Sequence, residues 1–365
     1  MMLCHFPLPI GSHSVECRSR GVKSPARPRE GTLQKQASTQ EPASTLEDTC
    51  PGLVELAVLA GVMLVLATLS RFLPIHYVFL GSELLIAILF ASSLNLLMGY
   101  GGMLSFGHSA YYAIAAYTSA LLLIRLNWPF ELAMLMGPLM AAVGALVFGA
   151  FCVRAAGAEH SAFLMLTLAF SQFVFAGIYK WYEVTRGDDG ISGINAKGVL
   201  ADPRNYFLFV LVVVLASLYV LWRIKSSPFG VTLMAIRDNQ QRAEFAGLPV
   251  RRYQLAAFVI AGTFAGVAGT LYAFFSGTIS PQVADWTAAA RPFLANSMGG
   301  THSFWGPVVG VLMLETFDAQ LARLTQHSLL FVGILSILVG IYMPRGIVGV
   351  IEKFSTALRR RRERP

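Results

Sequence analysis

The chain has 365 residues, of which 55% are hydrophobic and only 13% are charged, and its formal net charge is +8. Soluble globular domains carry about 25% charged residues, so this composition excludes a soluble enzyme and predicts a polytopic membrane protein built from apolar helices. The excess positive charge lies in an internal polar segment, 223–252, and in the C-terminal tail, 353–365. By the positive-inside rule, both segments are expected to face the cytoplasm.

Residues 1–52 are rich in Ser, Arg, Pro, Gln and Glu, and no apolar run that would suit a cleavable signal begins before residue 53. This composition is typical of a disordered extension, which we expect to lie in the cytoplasm. The transmembrane domain is expected to span 53–352, and the basic cytoplasmic tail to occupy 353–365.

Apolar stretches that suit membrane crossings occur on both sides of the polar segment. Only an even number of crossings after that segment returns the arginine-rich tail to the cytoplasm, so we infer a short crossing at 287–299, packed among other helices because it contains Arg291 and Asn296. The predicted fold is an all-α polytopic membrane protein with about ten transmembrane helices, eight to ten being allowed. The expected crossings are 53–73, 79–98, 106–124, 132–153, 161–180, 206–222, 254–275, 287–299, 304–317 and 328–343.

Two similar short motifs follow crossings that return to the cytoplasm. GGMLSFG at 101–107 and GGTHSFWG at 299–306 share the pattern GG-x-x-SF, and each precedes an outward-going helix in the ten-helix topology. This arrangement is what a parallel internal repeat would give, and many transporters contain such repeats. Chance clustering of Gly, Ser and Phe is an equally good explanation of so short a match.

The polar segment contains GVTLMAIRDNQQRAEFAGL at 230–248, in which Leu233, Ile236, Ala243 and Ala246 recur at helix-like intervals. Gly247, followed by Pro249, is a helix stop signal. The pattern predicts one or two short amphipathic helices that end at Gly247. A solvated loop and a helix on the membrane surface are alternatives, but ordinary loops between helices have about 2–8 residues. We therefore favour a docking element for another protein.

The same segment, with the regions around it, resembles the cytoplasmic coupling region of ABC-transporter permeases of the branched-chain amino acid family. Further stretches resemble other signatures of this family, and the resemblance covers about 53–352. Three features depart from the family pattern: Arg186 stands where a second Gly is usual, ANSMGG at 295–300 is more polar, and the N-terminal extension is additional. The matching stretches are GYGGMLSFGHSAYYAIAAYTSALL at 99–122, LMLTLAFSQFVFAGIYKWYEVTRGDDGISGI at 164–194 and MPRGIVGV at 343–350.

The resemblance implies a permease subunit of an ATP-driven importer in a bacterial inner membrane. Its partners would be a second, paralogous permease, two ATP-binding subunits and a periplasmic solute-binding protein, and its substrate a branched-chain amino acid, another amino acid or an amide such as urea. No G-x-x-x-x-G-K-[ST] motif is present in this sequence, so we expect no cofactor on this chain and ATP on the partner subunit. The residues implied to contact that subunit are Ala235, Ile236, Arg237, Arg242, Ala243 and Gly247.

Few ionisable residues lie within the predicted crossings, namely Glu83, His108, Arg291 and Glu315. Such residues are functional candidates, but we expect Glu83 and Glu315 near the periplasmic ends of their helices. For His108, a structural hydrogen bond across helices is favoured over a proton relay. Hydroxyl groups and helix ends suit an amino acid zwitterion, so the candidate translocation pathway consists of Ser105, Gly107, His108, Tyr111 and Tyr112.

The remaining motifs indicate no other chemistry. RGDDGISG at 186–193 lacks the ligand spacing of a calcium loop and is predicted to be a periplasmic turn that contacts the solute-binding protein. The four cysteines have no metal-ligand spacing, and no metal site or nucleic-acid partner is expected. A self-contained secondary transporter, which would need paired carboxylates or cation sites in the membrane, is the alternative from a different functional class.

Overall fold

A computed structural model describes residues 71–72, 74–156, 160–194, 198–324, 328–342 and 346–349. The predicted extension 1–52, nearly all of the first predicted crossing at 53–73, and the basic tail 353–365 lie outside the described residues.

The described residues form helices joined by short turns. The only strands in this part of the chain are β1 (Ile191–Ser192) and β2 (Thr278–Ile279), which pair antiparallel. A π-helical turn at Leu96–Tyr100 follows α1, and single 3₁₀ turns lie at Gly187–Asp189, Gly198–Ala201 and Pro281–Ala284. The helices are α1 (Ile75–Asn95), α2 (His108–Ile124), α3 (Phe130–Ala156), α4 (His160–Lys180), α5 (Tyr182–Thr185), α6 (Pro203–Ser226), α7 (Pro228–Asp238), α8 (Gln240–Phe245), α9 (Val250–Ser276), α10 (Trp286–Gly299), α11 (Gly306–Leu324) and α12 (Ser328–Tyr342).

Five helices within the described residues are long and apolar enough to cross a membrane. They coincide with five predicted crossings, and the fold class, an all-α polytopic membrane protein, is confirmed. The crossings predicted at 106–124, 287–299, 304–317 and 328–343 coincide with α2, α10, α11 and α12, which do not meet those criteria of length and composition individually. The total of ten crossings stays a prediction. The five spans are Ile75–Tyr100, Phe130–Ala155, Ala162–Lys180, Pro203–Ser226 and Val250–Ser276.

Helix α9 lies at the centre of the bundle and packs against α1, α2 and α3. Ala257, Ala261, Ala265 and Ala268 follow one side of this helix and are fully buried. Small side chains allow neighbouring helix backbones to approach closely, which is how helices pack where lipid removes most of the hydrophobic driving force. The close packing of α9 against its neighbours therefore depends on these small side chains.

Two short helices begin inside the bundle after non-helical segments. Residues 101–107 precede α2, and the 3₁₀ turn Pro281–Ala284 precedes α10. The Ala284 carbonyl at the end of this 3₁₀ turn accepts hydrogen bonds from the Ser109 hydroxyl of α2 (3.3 Å) and the Ser171 hydroxyl of α4 (2.7 Å). Non-helical backbone inside a membrane protein must find such partners, because lipid offers none. The inferred short crossing at 287–299 corresponds to α10, which packs against α1 and α11 as expected.

Replacing both Ser109 and Ser171 by Ala is expected to lower thermal stability in detergent by more than the sum of the single replacements. Each single variant keeps one hydroxyl on the Ala284 carbonyl and should cost about 1 kcal/mol, whereas the double variant leaves this buried carbonyl without a hydroxyl partner, at about 1–3 kcal/mol more. Ser119→Ala is the buried control, because that hydroxyl bonds carbonyls of its own helix. If the loss of stability in the double variant equals the sum of the losses in the single variants, the two hydroxyls do not share the role of bonding the Ala284 carbonyl.

Candidate functional site

The polar segment folds as two short helices, α7 and α8, as the sequence predicted. Ser227 caps α7 by accepting a hydrogen bond from the Gly230 N–H (3.4 Å), with Pro228 at the first helical position. Asn239 caps α8 in the same way, accepting from the Arg242 N–H at 2.8 Å. Both caps satisfy backbone donors that a helix start leaves free. After α8 the chain turns at Gly247, which has a φ of +83°.

A small apolar core holds these two helices against the start of α9. Ile236 from α7, Ala243 from α8 and Val250 from α9 are buried together, and Leu248 and Tyr253 pack around them. Ile236 and Ala243 thus lie inside the segment, where they fix its shape. The methyl group of Ala243 packs within the chain itself, and the contact of Ala243 with the ATP-binding subunit that the resemblance implies stays a prediction.

The outer surface of the segment carries the other predicted coupling residues. Ala235, Arg242 and Gly247 are exposed, and Phe245, which the sequence analysis did not single out, is 92% exposed. An exposed aromatic side chain beside small residues is typical of protein interfaces. The available sequence signal was a single Phe that follows Arg242 and Glu244 in the polar segment.

Arg237 points the opposite way and joins α7 to the end of α1. Its guanidinium donates a hydrogen bond to the Gly99 carbonyl (2.5 Å) and pairs with the Asp238 carboxylate at 3.0 Å. Its aliphatic stem packs on Gly102, where an added Cβ would lie only 2.6 Å from the Arg237 Cγ. The Arg237 side chain is therefore a fixed connection between the polar segment and the transmembrane bundle.

The turn of the second GG-x-x-SF motif lies against the residues at the end of α1 that precede the first motif. The Asn95 side-chain amide donates to the Ser303 carbonyl (3.3 Å), and the Gly99 backbone lies directly against the Thr301 carbonyl. Arg237, Gly99 and the turn at 301–305 thus form one continuous set of contacts. Whether the two motifs derive from an internal repeat stays a hypothesis.

The structure places most of the predicted pathway residues in the packed interior. The exposed fractions of Ser105, His108 and Tyr111 are 1%, 0% and 1%, and Gly107 is also buried. The His108 Nε2 lies 2.8 Å from the Ser93 hydroxyl of α1, which is the structural hydrogen bond across helices that was expected. Tyr112, in contrast, lines a cavity. A role of these five residues in translocation stays a prediction.

This cavity has a volume of about 210 Å³ and is formed by α1, α2, α9, α10, α11 and the residues before α10. It brings together Glu83, Arg291 and Glu315, which the sequence placed on three separate helices. The Arg291 guanidinium lies 3.6 Å from the Glu315 carboxylate and 2.9 Å from that of Asp318. Glu83 and Glu315 lie well inside α1 and α11, away from the helix ends where we had expected them.

The loop between α4 and α6 is the turn that the sequence predicted at 186–193. Arg186 has a φ of +60°, a conformation that favours Gly, which explains the glycine usual at this position in the family that the sequence resembles. β1 fixes the loop by pairing Ile191 with Ile279 of β2. Tyr182 donates a hydrogen bond to Asp189 (2.9 Å), which raises the pKa of the Tyr182 phenol. Binding of a solute-binding protein to this loop stays a prediction.

Comparison with known proteins gives one consistent result. The family model described as "Branched-chain amino acid transport system / permease component" matches residues 77–340. The chain is 29% identical over 291 residues to the high-affinity branched-chain amino acid transport system permease protein LivM of Escherichia coli strain K12, covering 72% of this chain and 68% of LivM. It is 26% identical over 290 residues to LivH of Salmonella typhimurium strain LT2, covering 72% of this chain and 90% of LivH. No solved structure matches the chain.

Proposed function

We propose that this chain forms one of two membrane-spanning subunits of an ATP-driven ABC importer. The chain belongs to the family of permease components of branched-chain amino acid transport systems. The other subunits are a paralogous permease, two ATP-binding subunits and a periplasmic solute-binding protein. The complex lies in a bacterial inner membrane, with both termini of this chain in the cytoplasm. It imports branched-chain or related amino acids, and a urea or amide substrate is the alternative.

The observation that carries this proposal is the two-sided construction of α7 and α8. The outer side presents Phe245, Arg242 and Gly247 to a partner, and the inner side is tied to the transmembrane bundle through Arg237. The internal core of Ile236, Ala243 and Val250 makes the segment a rigid body. Such a body transmits the closure of an ATPase to the helices it contacts and biases the bundle between inward-facing and outward-facing states.

The partner supplies the energy in this proposal. ATP binds and is hydrolysed on the separate ATP-binding subunits, and this chain binds no cofactor of its own. ATP binding and hydrolysis on those subunits displace α7 and α8 of this chain. Arg237 passes that displacement to Gly99, and the Gly99 backbone passes it to the turn at 301–305, between α10 and α11.

Replacing Gly247 by Glu is expected to reduce the ATP-binding subunit that co-purifies with this chain from native membranes by about tenfold, because a carboxylate without a partner is costly to bury at an interface. Gly193→Glu is a matched control. Both glycines have a positive φ (+83° and +88°), and among the described residues no atom lies within 4 Å of an added Cβ at either one. Gly193, however, lies in the loop after α4, which the topology places on the opposite side of the membrane. That variant is expected to retain the ATP-binding subunit.

Three outcomes distinguish the explanations. Loss with Gly247→Glu and retention with Gly193→Glu would support the coupling surface. Equal loss in both variants would contradict the assignment of α7 and α8 as the surface that binds the ATP-binding subunit. If a well-folded wild-type chain retains no ATP-binding subunit, the importer proposal fails in favour of a self-contained transporter.

A further inference from the structure

We propose that the cavity lined by Glu83, Arg291 and Glu315 binds the transported solute inside the permease, as a zwitterionic amino acid with an aliphatic side chain. This inference rests on the proposed function and names the site and the chemical features that the permease itself recognises.

The charges around the cavity lie on α1, α10 and α11, and Arg291 of α10 pairs with Glu315 and Asp318 of α11. Ionisable groups in the interior of membrane helices are costly and do not face lipid, so they mark water-filled or substrate-filled space. The Arg291 side chain is 52% exposed, although Glu315 and Asp318 lie beside it. The second oxygen of the Asp318 carboxylate is buried and accepts no hydrogen bond among the described residues. Asp318 does not line the cavity, so a polar ligand there would bind the exposed part of the Arg291 guanidinium together with the Glu83 and Glu315 carboxylates.

The arrangement of these charges suits both ends of an amino acid. Arg291 has five N–H donors and a planar shape that matches a carboxylate, and its exposed part can bind that group. Glu83 and Glu315 accept hydrogen bonds and can bind the ammonium group of the solute. With Asp318, the carboxylates outnumber the single guanidinium of this cluster. An additional carboxylate on the solute would therefore be repelled.

The size and the walls of the cavity restrict the side chain of the bound amino acid. A volume of about 210 Å³ is smaller than the roughly 300–1,000 Å³ of pockets for drug-sized ligands, so the occupant must be small. Ile86, Val311 and Leu314 form an aliphatic wall, and removing an apolar side chain from water against it is favourable. A small aliphatic amino acid satisfies the charges and the wall together.

The position of the cavity connects it to the coupling segment. Arg291 lies on α10, which ends at Gly299, and the turn that follows contacts the end of α1 through Asn95 and Gly99. Gly99 is also the residue that accepts the hydrogen bond from Arg237. Movement of α7 can therefore reach α10 and change the separation of the charged groups around the solute.

Cysteine labelling of the assembled importer, without the solute-binding protein, tests the site directly. The Ala288→Cys variant places a thiol on the cavity wall, and Ala290→Cys, on the same helix but outside the cavity lining, is the matched control. N-ethylmaleimide incorporation at each position is measured by peptide mass spectrometry with L-leucine, with L-glutamate, or with 4-methylpentanoate, which lacks the ammonium group. At about ten times its half-protecting concentration, L-leucine is expected to slow labelling at position 288 about tenfold. It should leave position 290 unchanged, and the two acids should protect poorly.

Adding Glu83→Gln to the Ala288→Cys variant tests the recognition of the ammonium group. The L-leucine concentration that gives half-protection is expected to rise about tenfold. Glu131→Gln, which removes a carboxylate from the exposed start of α3, is expected to leave that concentration unchanged.

L-Leucine uptake driven by ATP is measured on the complete importer with its solute-binding protein. If the importer takes up L-leucine but L-leucine protects neither position or both equally, the proposed site is wrong and the proposed function stands. If L-leucine protects position 288 selectively in a complex without ATP-driven uptake, the site stands and the proposed function fails. Protection by 4-methylpentanoate equal to that by L-leucine would overturn the recognition of the ammonium group, and equal protection by L-glutamate would overturn the exclusion of an additional carboxylate.

Discussion

Replacement of Arg237 by Gln is expected to reduce amino acid uptake by about 10- to 100-fold while leaving the ATP-binding subunit attached. The guanidinium donates a charge-assisted hydrogen bond to the Gly99 carbonyl, and such bonds contribute about 1.5–3 kcal/mol, which corresponds to this range of effect. The Arg237 side chain is only 24% exposed and turned toward the bundle. Its loss should therefore break the internal connection without altering the outer surface of α7 and α8.

Arg242→Gln provides the opposite case with the same chemical change. Arg242 lies on the exposed side of α8, so its replacement should weaken retention of the ATP-binding subunit without disturbing the contact at Gly99. Both variants are compared with wild type by co-purification and by uptake in proteoliposomes. If Arg237→Gln loses the ATP-binding subunit, or if uptake by this variant equals that of wild type, the proposed role of Arg237 is wrong.

Arg237 faces the transmembrane bundle and Arg242 faces outward, and these opposite orientations explain the mechanism we propose. A coupling segment must be rigid in itself, attached to its partner on one side and to the bundle on the other. The core of Ile236, Ala243 and Val250 provides the rigidity, and Arg237 provides the inner attachment. Uncoupling and loss of the partner are therefore separable defects, and each belongs to a different face of the same two helices.

Local structure was the part of this fold that the sequence predicted well. Five crossings coincide with helices because apolar runs of roughly 20 residues, bounded by polar ones, leave the backbone no other way to satisfy its hydrogen bonds in a membrane. The two helices of the polar segment follow from signals that act within a few residues, such as the caps at Ser227 and Asn239 and the stop at Gly247.

The charged cavity could not be predicted in this way. Glu83, Arg291 and Glu315 lie on α1, α10 and α11, and each residue added to a helix turns the side-chain direction by about 100°. Their convergence therefore depends on how three helices are rotated and tilted against one another, which sequence spacing does not specify. Hydropathy along the chain alone places Glu83 and Glu315 near helix ends, whereas the structure places both well inside their helices.

The same limitation applies to the candidate pathway and to the coupling residues. Ser105, His108 and Tyr111 are polar groups near a glycine-rich turn, and nothing in their spacing reveals that the surrounding helices bury them. Ala243 is similar: the sequence does not reveal that its side chain packs against Ile236 and Val250. The sequence shows which positions are polar or small, but tertiary packing determines whether each side chain is buried, lines a cavity or is exposed.

Replacing Gly310 by Val is expected to have the largest effect on stability, because α10 and α11 cross there with their backbones in contact. An added Cβ at Gly310 would overlap the Ala295 carbonyl oxygen, which belongs to the backbone of α10 and cannot move aside as a side chain can. Overpacking costs about 1–3 kcal/mol where neighbours can adjust, and more where they cannot, so we expect a loss above about 3 kcal/mol. Separation of the two helices would also part Arg291 of α10 from Glu315 of α11 and open the cavity between them.

Gly177→Val is the control for Gly310→Val. Gly177 lies within α4, and among the described residues no atom lies within 4 Å of an added Cβ. Val and Gly both form helices less readily than Ala, so the intrinsic effect of the substitution is small at either position. The fraction of each variant that remains monodisperse in detergent after heating measures stability, and labelling at position 288 measures the cavity. We expect Gly310→Val to melt well below wild type and to lose protection by L-leucine, and Gly177→Val to match wild type. Equal stability of the two variants would contradict the close crossing of α10 and α11, and with it the geometry that holds Arg291 beside Glu315.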